Sequence, residues 1–258
     1  MKFTSILVLF LLVGVFVAQA EIKDKGLILY FSFDKADGGK VPDLTKGKHH
    51  GKLLKGKINK QKKVYGSGAL EMKDPQSAVE VESFKELESY QDNSYLFWLY
   101  FIEGINGSWS QIIAKKAPGS DRSPGIWICP AALGLHWRFN PGNQGSNCIG
   151  PQGEGKAFDL KKWVHVAGVK KKNQLIMYMD GKEKGKFGAP DKHAQGAEKL
   201  YIGRTGYRSA TFIIDDLYVY DRAVKEAEVK KVMEGKLLPV DPKQKLTTTW
   251  GTLKLDAL

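Results

Sequence analysis

The chain has 258 residues, of which 42% are hydrophobic, and a formal net charge of +12 at pH 7. Its length admits one large all-β domain or two smaller ones. Only five of its 40 basic residues are arginine and the lysines are scattered, which argues against nucleic acid, whose sites gather arginine forks and stacking aromatics in one patch. The excess of lysine leaves a solvated basic surface suited to an anionic glycan or cell-surface partner.

Lys2 precedes an apolar run from Ile6 to Val17, and Ala18-Gln19-Ala20 follows as a small-x-small cleavage site. Residues 1–20 are therefore expected as a secretory signal peptide, with Glu21 the first mature residue and the product secreted, extracellular or periplasmic. The run is short for a membrane anchor, which needs about 20 apolar residues. No later segment is apolar enough to cross a bilayer, so no transmembrane segment is expected in the mature chain.

From Gly26 onward, short apolar or alternating runs are broken every few residues by turn residues, which predicts strands. These are LILYFSF (27–33), GALEM (68–72), AVEVE (78–82), SYLFWLYFI (94–102), SQIIAKK (110–116) and GIWICP (125–130), followed by GLHWRFN (134–140), KWVHVAGVKK (162–171), QLIMYMDG (174–181), KLYIG (199–203) and FIIDDLYVY (212–220). One helix is predicted after Arg222, where Val224, Ala227, Val229, Val232 and Met233 form a stripe and Gly235 a stop. The sum is an all-β, two-sheet antiparallel jelly-roll sandwich with one short C-terminal helix, spanning 21–238. Residues 239–258 open with two prolines and read as a tail. In WVHVAGV, Trp163, His165, Ala167 and Val169 share one face and Val164, Val166 and Gly168 the other. Both faces are nearly apolar, so His165 reads as a satisfied core histidine and Asp180 as support for the turn that follows.

Cys129 and Cys148 lie in one glycine- and proline-rich region. In an oxidising compartment they would close a disulfide, with two separate buried thiols the alternative.

The ordered series GLILYFSFD (26–34), VPDLTKGKHHGKL (41–53), YGSGALEM (65–72), SAVEVE (77–82), YLFWLYF (95–101), WVHVAGVKKKNQLIMYMDGK (163–182), LYIGR (200–204) and FIIDDLYVYDRAVKEAEV (212–229) resembles the laminin-G-like jelly roll of the concanavalin A-like lectin/glucanase superfamily. That fold hosts lectins, adhesion modules and glycosidases alike.

Asp215 and Asp216 interrupt an apolar strand. Strict alternation sends them to opposite faces, at least one of them towards a packed layer, where an ionised carboxylate needs compensation. The resemblance implies a structural calcium ion between the N-terminal segment and this strand. Its residues map to Asp34 in the opening FD, Asp43 before the polar loop, and Asp215. This chain departs from the family in that loop, TKGKHHG, by adding Lys46 and Lys48. Asp215 could instead accept loop amides, with Asp216 simply exposed. His49-His50 lacks a third ligand for zinc.

A glycosidase needs two carboxylates flanking the scissile bond, and the superfamily's E-x-D-x-x-E run is not found in the sequence. The expected function is thus a non-catalytic binding module for extracellular carbohydrate, with the lysine excess favouring an acidic polysaccharide. Protein–protein adhesion without a sugar is the alternative, and a glycoside hydrolase the more distant one. Trp109, Trp137, Arg138, Tyr207 and Arg208 are the candidate ligand residues, because their rings are least explained by core packing and rings of this kind stack on sugars. Trp98, Trp127 and Trp163, in strongly apolar strands, are expected in the core. Asn106-Gly107-Ser108 is a glycosylation sequon.

Overall fold

The computed structural model describes residues 24–116 and 122–237. The expected signal peptide and tail lie outside the described residues. Two sheets pack face to face. The smaller, eight-stranded sheet runs in the order Lys182–Gly188, Gln174–Met179, Trp163–Lys171, Asn93–Phe101, Phe212–Tyr220, Ala69–Met72, Lys57–Asn59, and Leu27–Phe31 also pairs with Phe212–Tyr220. The larger, eleven-stranded sheet runs Gly153–Glu154, Ile149–Gly150, Leu135–Phe139, Gly125–Ile128, Ser110–Lys115, Leu200–Gly203, Ala78–Val81, Gly51–Lys55, Lys40–Val41. Gln144–Gly145 adds to Leu135–Phe139, and Arg208–Ser209 pairs with Ser110–Gln111 in parallel, the remaining pairs being antiparallel.

Alternation decides which side chains meet between the sheets. Phe97, Leu99, Val164, Val166, Phe212 and Ile214 from the smaller sheet meet Ile126, Ile128, Leu135, Trp137 and Phe139 from the larger. Burying each such side chain contributes about 1.5–3 kcal/mol. Trp137 is the keystone of this layer. It is fully buried, lies across Phe97 with ring centroids 6.2 Å apart and meets Tyr95 edge-on at 6.3 Å. Gly168, opposite it, makes room: a Cβ there would lie 2.5 Å from the indole Cη2. Trp137 is therefore a core residue with no surface left for a ligand, which corrects its place among the ligand candidates.

The predicted helix forms over Glu226–Met233. The Glu228 carboxylate turns back to accept the Lys225 N–H at 2.7 Å and the Arg222 guanidinium in a fork at 2.6 and 3.1 Å, which satisfies the N-terminus. Gly235, with φ +67°, ends it. Val229 and Val232 dock on the outer face of the smaller sheet with Tyr178, Tyr218 and Tyr220. A second, five-residue helix, Lys85–Ser89, is seated by Leu87. Lys182–Gly188 is an edge strand whose lysines discourage further strand pairing. Among the described residues no helix is long and apolar enough to cross a membrane.

Candidate functional site

The core phase of the larger sheet turns its alternate residues outward. With Ile126, Ile128, Leu135, Trp137 and Phe139 facing in, Trp127, His136 and Arg138 face out, and His136 sits directly across from Trp127. Gln111 is Trp127's partner on the next strand. It is fully buried and pinned, donating to the carbonyls of Ile113 and Ile126 at 2.8 and 2.9 Å and accepting from Thr205 Oγ1 at 3.1 Å.

Over this base lies a group of rings. Trp109, 38% exposed, tilts over His136 with centroids 4.7 Å apart. Trp127 meets His136 at 6.1 Å and the edge of Tyr207 at 5.7 Å. The Arg122 guanidinium stands 4.9 Å above the Trp127 ring. Arg138 donates from Nε to His136 Nε2 at 3.2 Å, from Nη1 to the Asn143 carbonyl at 2.8 Å and from Nη2 to Asn147 Oδ1 at 3.3 Å. Burial, and then the charge of Arg138, push the His136 pKa down to about 4, so the imidazole is neutral at pH 7 and can accept from Arg138. Arg208 is exposed beside Tyr207, in the short strand that pairs with Ser110–Gln111.

The structure thus brings Trp109, Arg138 and Tyr207 to one face, while Arg208, paired with Ser110, is exposed beside it. Trp127 is buried as expected, but beneath the outer rings and Arg122 rather than between the sheets; His136 and Arg122 were not anticipated at this face. GIWIC is apolar throughout, so its phase cannot be read from the strand itself.

The Cys129–Cys148 disulfide forms, with Cα atoms 5.9 Å apart, and pins the loop carrying Asn143 and Asn147 to the end of the Gly125–Ile128 strand. His136 lies close to both sulfurs, but bonded sulfurs offer no thiolate, so this trio is not a metal site.

The aspartates occupy the outer face of the other sheet. Phe212–Tyr220 pairs with Ala69–Met72 through residues 212–214 and with Leu27–Phe31 through residues 217–220, leaving Asp215 and Asp216 at the gap. Opposite Asn93–Phe101 the register slips between Asp215 and Tyr218, and Asp216 takes φ +51°. This bulge breaks the alternation. Ile214 and Leu217 both face the core, so both aspartates point outward, and both are buried under neighbouring segments. The expectations that they face opposite ways and that Asp216 is exposed are both overturned.

Asp215 Oδ2 accepts the amides of Val64 and Tyr65 at 2.7 and 3.3 Å, and Asp216 Oδ1 accepts the Tyr30 hydroxyl at 2.6 Å. Asp215 Oδ1 and Asp216 Oδ2 have no hydrogen-bond partner. Burial raises the pKa of both carboxyls; the charge of Asp216 adds to the effect at Asp215, and that of Asp34 at Asp216.

Asp34 joins the same segment, accepting from the amides of Ser67 and Gly68 through Oδ1. Asp43 does not join them. Its Oδ1 accepts from Tyr30 N and Thr45 N, and its Oδ2 from Thr45 Oγ1 and His49 N, at 2.7–3.1 Å. Both its oxygens are consumed by its own loop and by the backbone of the Leu27–Phe31 strand. Among the described residues Asp34, Asp43 and Asp215 form no cluster of metal-ligand spacing. The orphaned oxygens of Asp215 and Asp216 fit a cation; Asp43 does not.

His165 is buried, with its ring edge-on to Trp98 at 5.2 Å and neither ring nitrogen hydrogen-bonded, so it is not the satisfied histidine expected. Asp180 does support its turn, accepting the His165 N–H at 2.9 Å.

A two-sheet antiparallel sandwich of this kind is a fold class that hosts lectins, adhesion modules and glycosidases alike. The chain belongs to the concanavalin A-like lectin/glucanases superfamily, whose sequence model matches residues 73–230, more than half of its length. No curated protein matches it. Among solved structures it is similar to a sialidase of Trypanosoma rangeli (TM-score 0.62, 12% identity, 84% of this chain and 34% of that one). It is also similar to the binding domain of Paraclostridial Mosquitocidal Protein 1 (0.63, 14%, 82% and 52%). A third relative is domain 4 of AbnA, a GH43 extracellular arabinanase from Geobacillus stearothermophilus, in complex with arabinotriose (0.55, 17%, 84% and 100%). The chain spans about a third of the length of the sialidase and half that of the mosquitocidal binding domain.

Proposed function

We propose that this chain is an exported, non-catalytic carbohydrate-binding module whose ligand lies on the outer face of the larger sheet. The observation that carries this reading is the clustering of Trp109, Trp127, His136 and Tyr207 over a hydrogen-bonded base, with Trp109 exposed. Rings of this kind stack on the apolar faces of sugars, while Arg138 and Asn147 supply directed polar contacts. The arabinotriose-bound neighbour, which the chain matches along that neighbour's full length, supports the same reading. The disulfide and the N-terminal apolar run support export.

The non-catalytic reading draws on the position of Asp215 and Asp216. They are buried on the other sheet, away from the aromatic face, where no sugar reaches them. There they serve as calcium ligands with Asp34 beside them, while Asp43 organises its own loop. Calcium would supply the compensating charge that the two orphaned oxygens need.

A glycan array probed with the chain and with Trp109→Ala, in calcium and in chelator, tests the assignment. Hits that the substitution weakens at least about tenfold support it. Absence of any saccharide hit moves the weight to the protein-adhesion reading.

A further inference from the structure

Two of the five arginines, Arg122 and Arg138, contact rings of the aromatic face, in a chain that mostly uses lysine for positive charge. Arg122 covers Trp127, Arg138 braces His136, and Arg204 and Arg208 flank Tyr207 in a turn held to the face by Thr205 and Gln111. We propose that this face selects an anionic saccharide, with a carboxylate or sulfate meeting Arg138 while neighbouring sugar rings lie on Trp109. This rests on the carbohydrate reading above and names the chemistry that the face prefers.

The state of Arg138 carries the argument. Its partners are an imidazole, a backbone carbonyl and a side-chain amide, all neutral, and among the described residues no carboxylate pairs with it. Only three of the five guanidinium N–H groups are used by these contacts. The partners fix the plane of the fork without cancelling its charge. A fixed, half-buried guanidinium of this kind suits the planar oxygens of a carboxylate or sulfate better than a mobile ammonium does. Burial lowers the Arg138 pKa, the nearby Glu154 carboxylate opposes that shift without pairing to the guanidinium, and the charge of Arg122 adds to it. The lysines elsewhere are treated differently: Lys55, Lys57 and Lys199 are paired with Asp74, Glu71 and Glu80.

Two matched pairs of polymers test the proposal: polygalacturonate against its methyl ester, and dextran sulfate against dextran. Each is titrated into the full chain, into Arg138→Gln, into Trp109→Ala, and into Lys60→Gln/Lys63→Gln as a control for diffuse charge. The expected result is that at least one anionic polymer binds about tenfold or more tightly than its neutral parent. Arg138→Gln should erase that preference, Trp109→Ala should weaken binding throughout, and the lysine control should match wild type. Unfolding temperatures of the variants separate lost binding from lost fold.

Equal binding of charged and neutral forms, weakened alike by Trp109→Ala, overturns the anionic selectivity and leaves the carbohydrate face standing. No binding of any polymer, with no effect of Trp109→Ala on the array, overturns both. A loss in the lysine control as large as in Arg138→Gln, or tighter binding of a single-stranded oligonucleotide than of either anionic polymer, also overturns the proposal.

Discussion

Asp216 shows how one backbone angle decides the fate of two charges. At φ +51° it lets both carboxylates share the outer face, where burial first, and then neighbouring aspartate charge, raise their pKa values. Their unfolded value is roughly 4. A raised folded value means that the folded chain holds its protons more tightly, so the pair's contribution to stability is full below roughly 4 and is lost as pH rises from there to the raised folded values. His136, His165 and His193 act in the opposite sense. Burial lowers them to about 4, 3 and 4, so their contribution is full above roughly 6.5 and fades as pH falls. Wild type minus variant isolates the aspartates. In chelator, Asp215→Asn should be more stable than wild type at pH 7 by on the order of 2 kcal/mol, with the gap closing towards pH 4. Denaturant titrations across that range check it. In calcium, wild type should gain stability and Asp215→Asn should not; equal gains would remove Asp215 from the ion. The sequence announced that these residues needed compensation, because two aspartates in FIIDDLYVY conflict with an apolar strand. It did not announce the bulge, since a register slip depends on partner strands far along the chain.

At the level of elements, the long strands were legible because hydrophobic runs and turn residues frame them. The two- and three-residue strands were not, because they exist only through their neighbours. Phase was the harder problem. LHWRF carries rings on both faces and GIWI has no polar residue on either, and only the opposing sheet decides that Trp137 goes in and Trp127 out. Gly168 is the other half of that decision. Replacing it by alanine should cost about 1–3 kcal/mol through overpacking against Trp137. An unfolding curve matching wild type would mean that the two sheets are not seated as described. The disulfide works at the same scale. Its two cysteines are 19 positions apart in sequence, and replacing both by serine should cost about 3 kcal/mol. The same change should weaken saccharide binding by freeing the loop of Asn143 and Asn147. Unchanged affinity would show that the loop holds Arg138 in place without the disulfide's help.

Across the whole molecule, the two outer faces have different fates. The smaller sheet is covered over the aspartates and by the helix Glu226–Met233, while the centre of the larger sheet presents rings and arginines. The pattern of strands was enough to indicate the sandwich and its superfamily. The ligand face had to be assembled from four separated stretches, around residues 109, 127, 136 and 207. The most direct test is to map, by backbone amide chemical shifts, where the tightest-binding array oligosaccharide sits. The account predicts that the largest shifts fall on residues 109, 127, 136–138, 147 and 205–208. Shifts confined to the outer face of the smaller sheet or to the Lys182–Gly188 edge would contradict it.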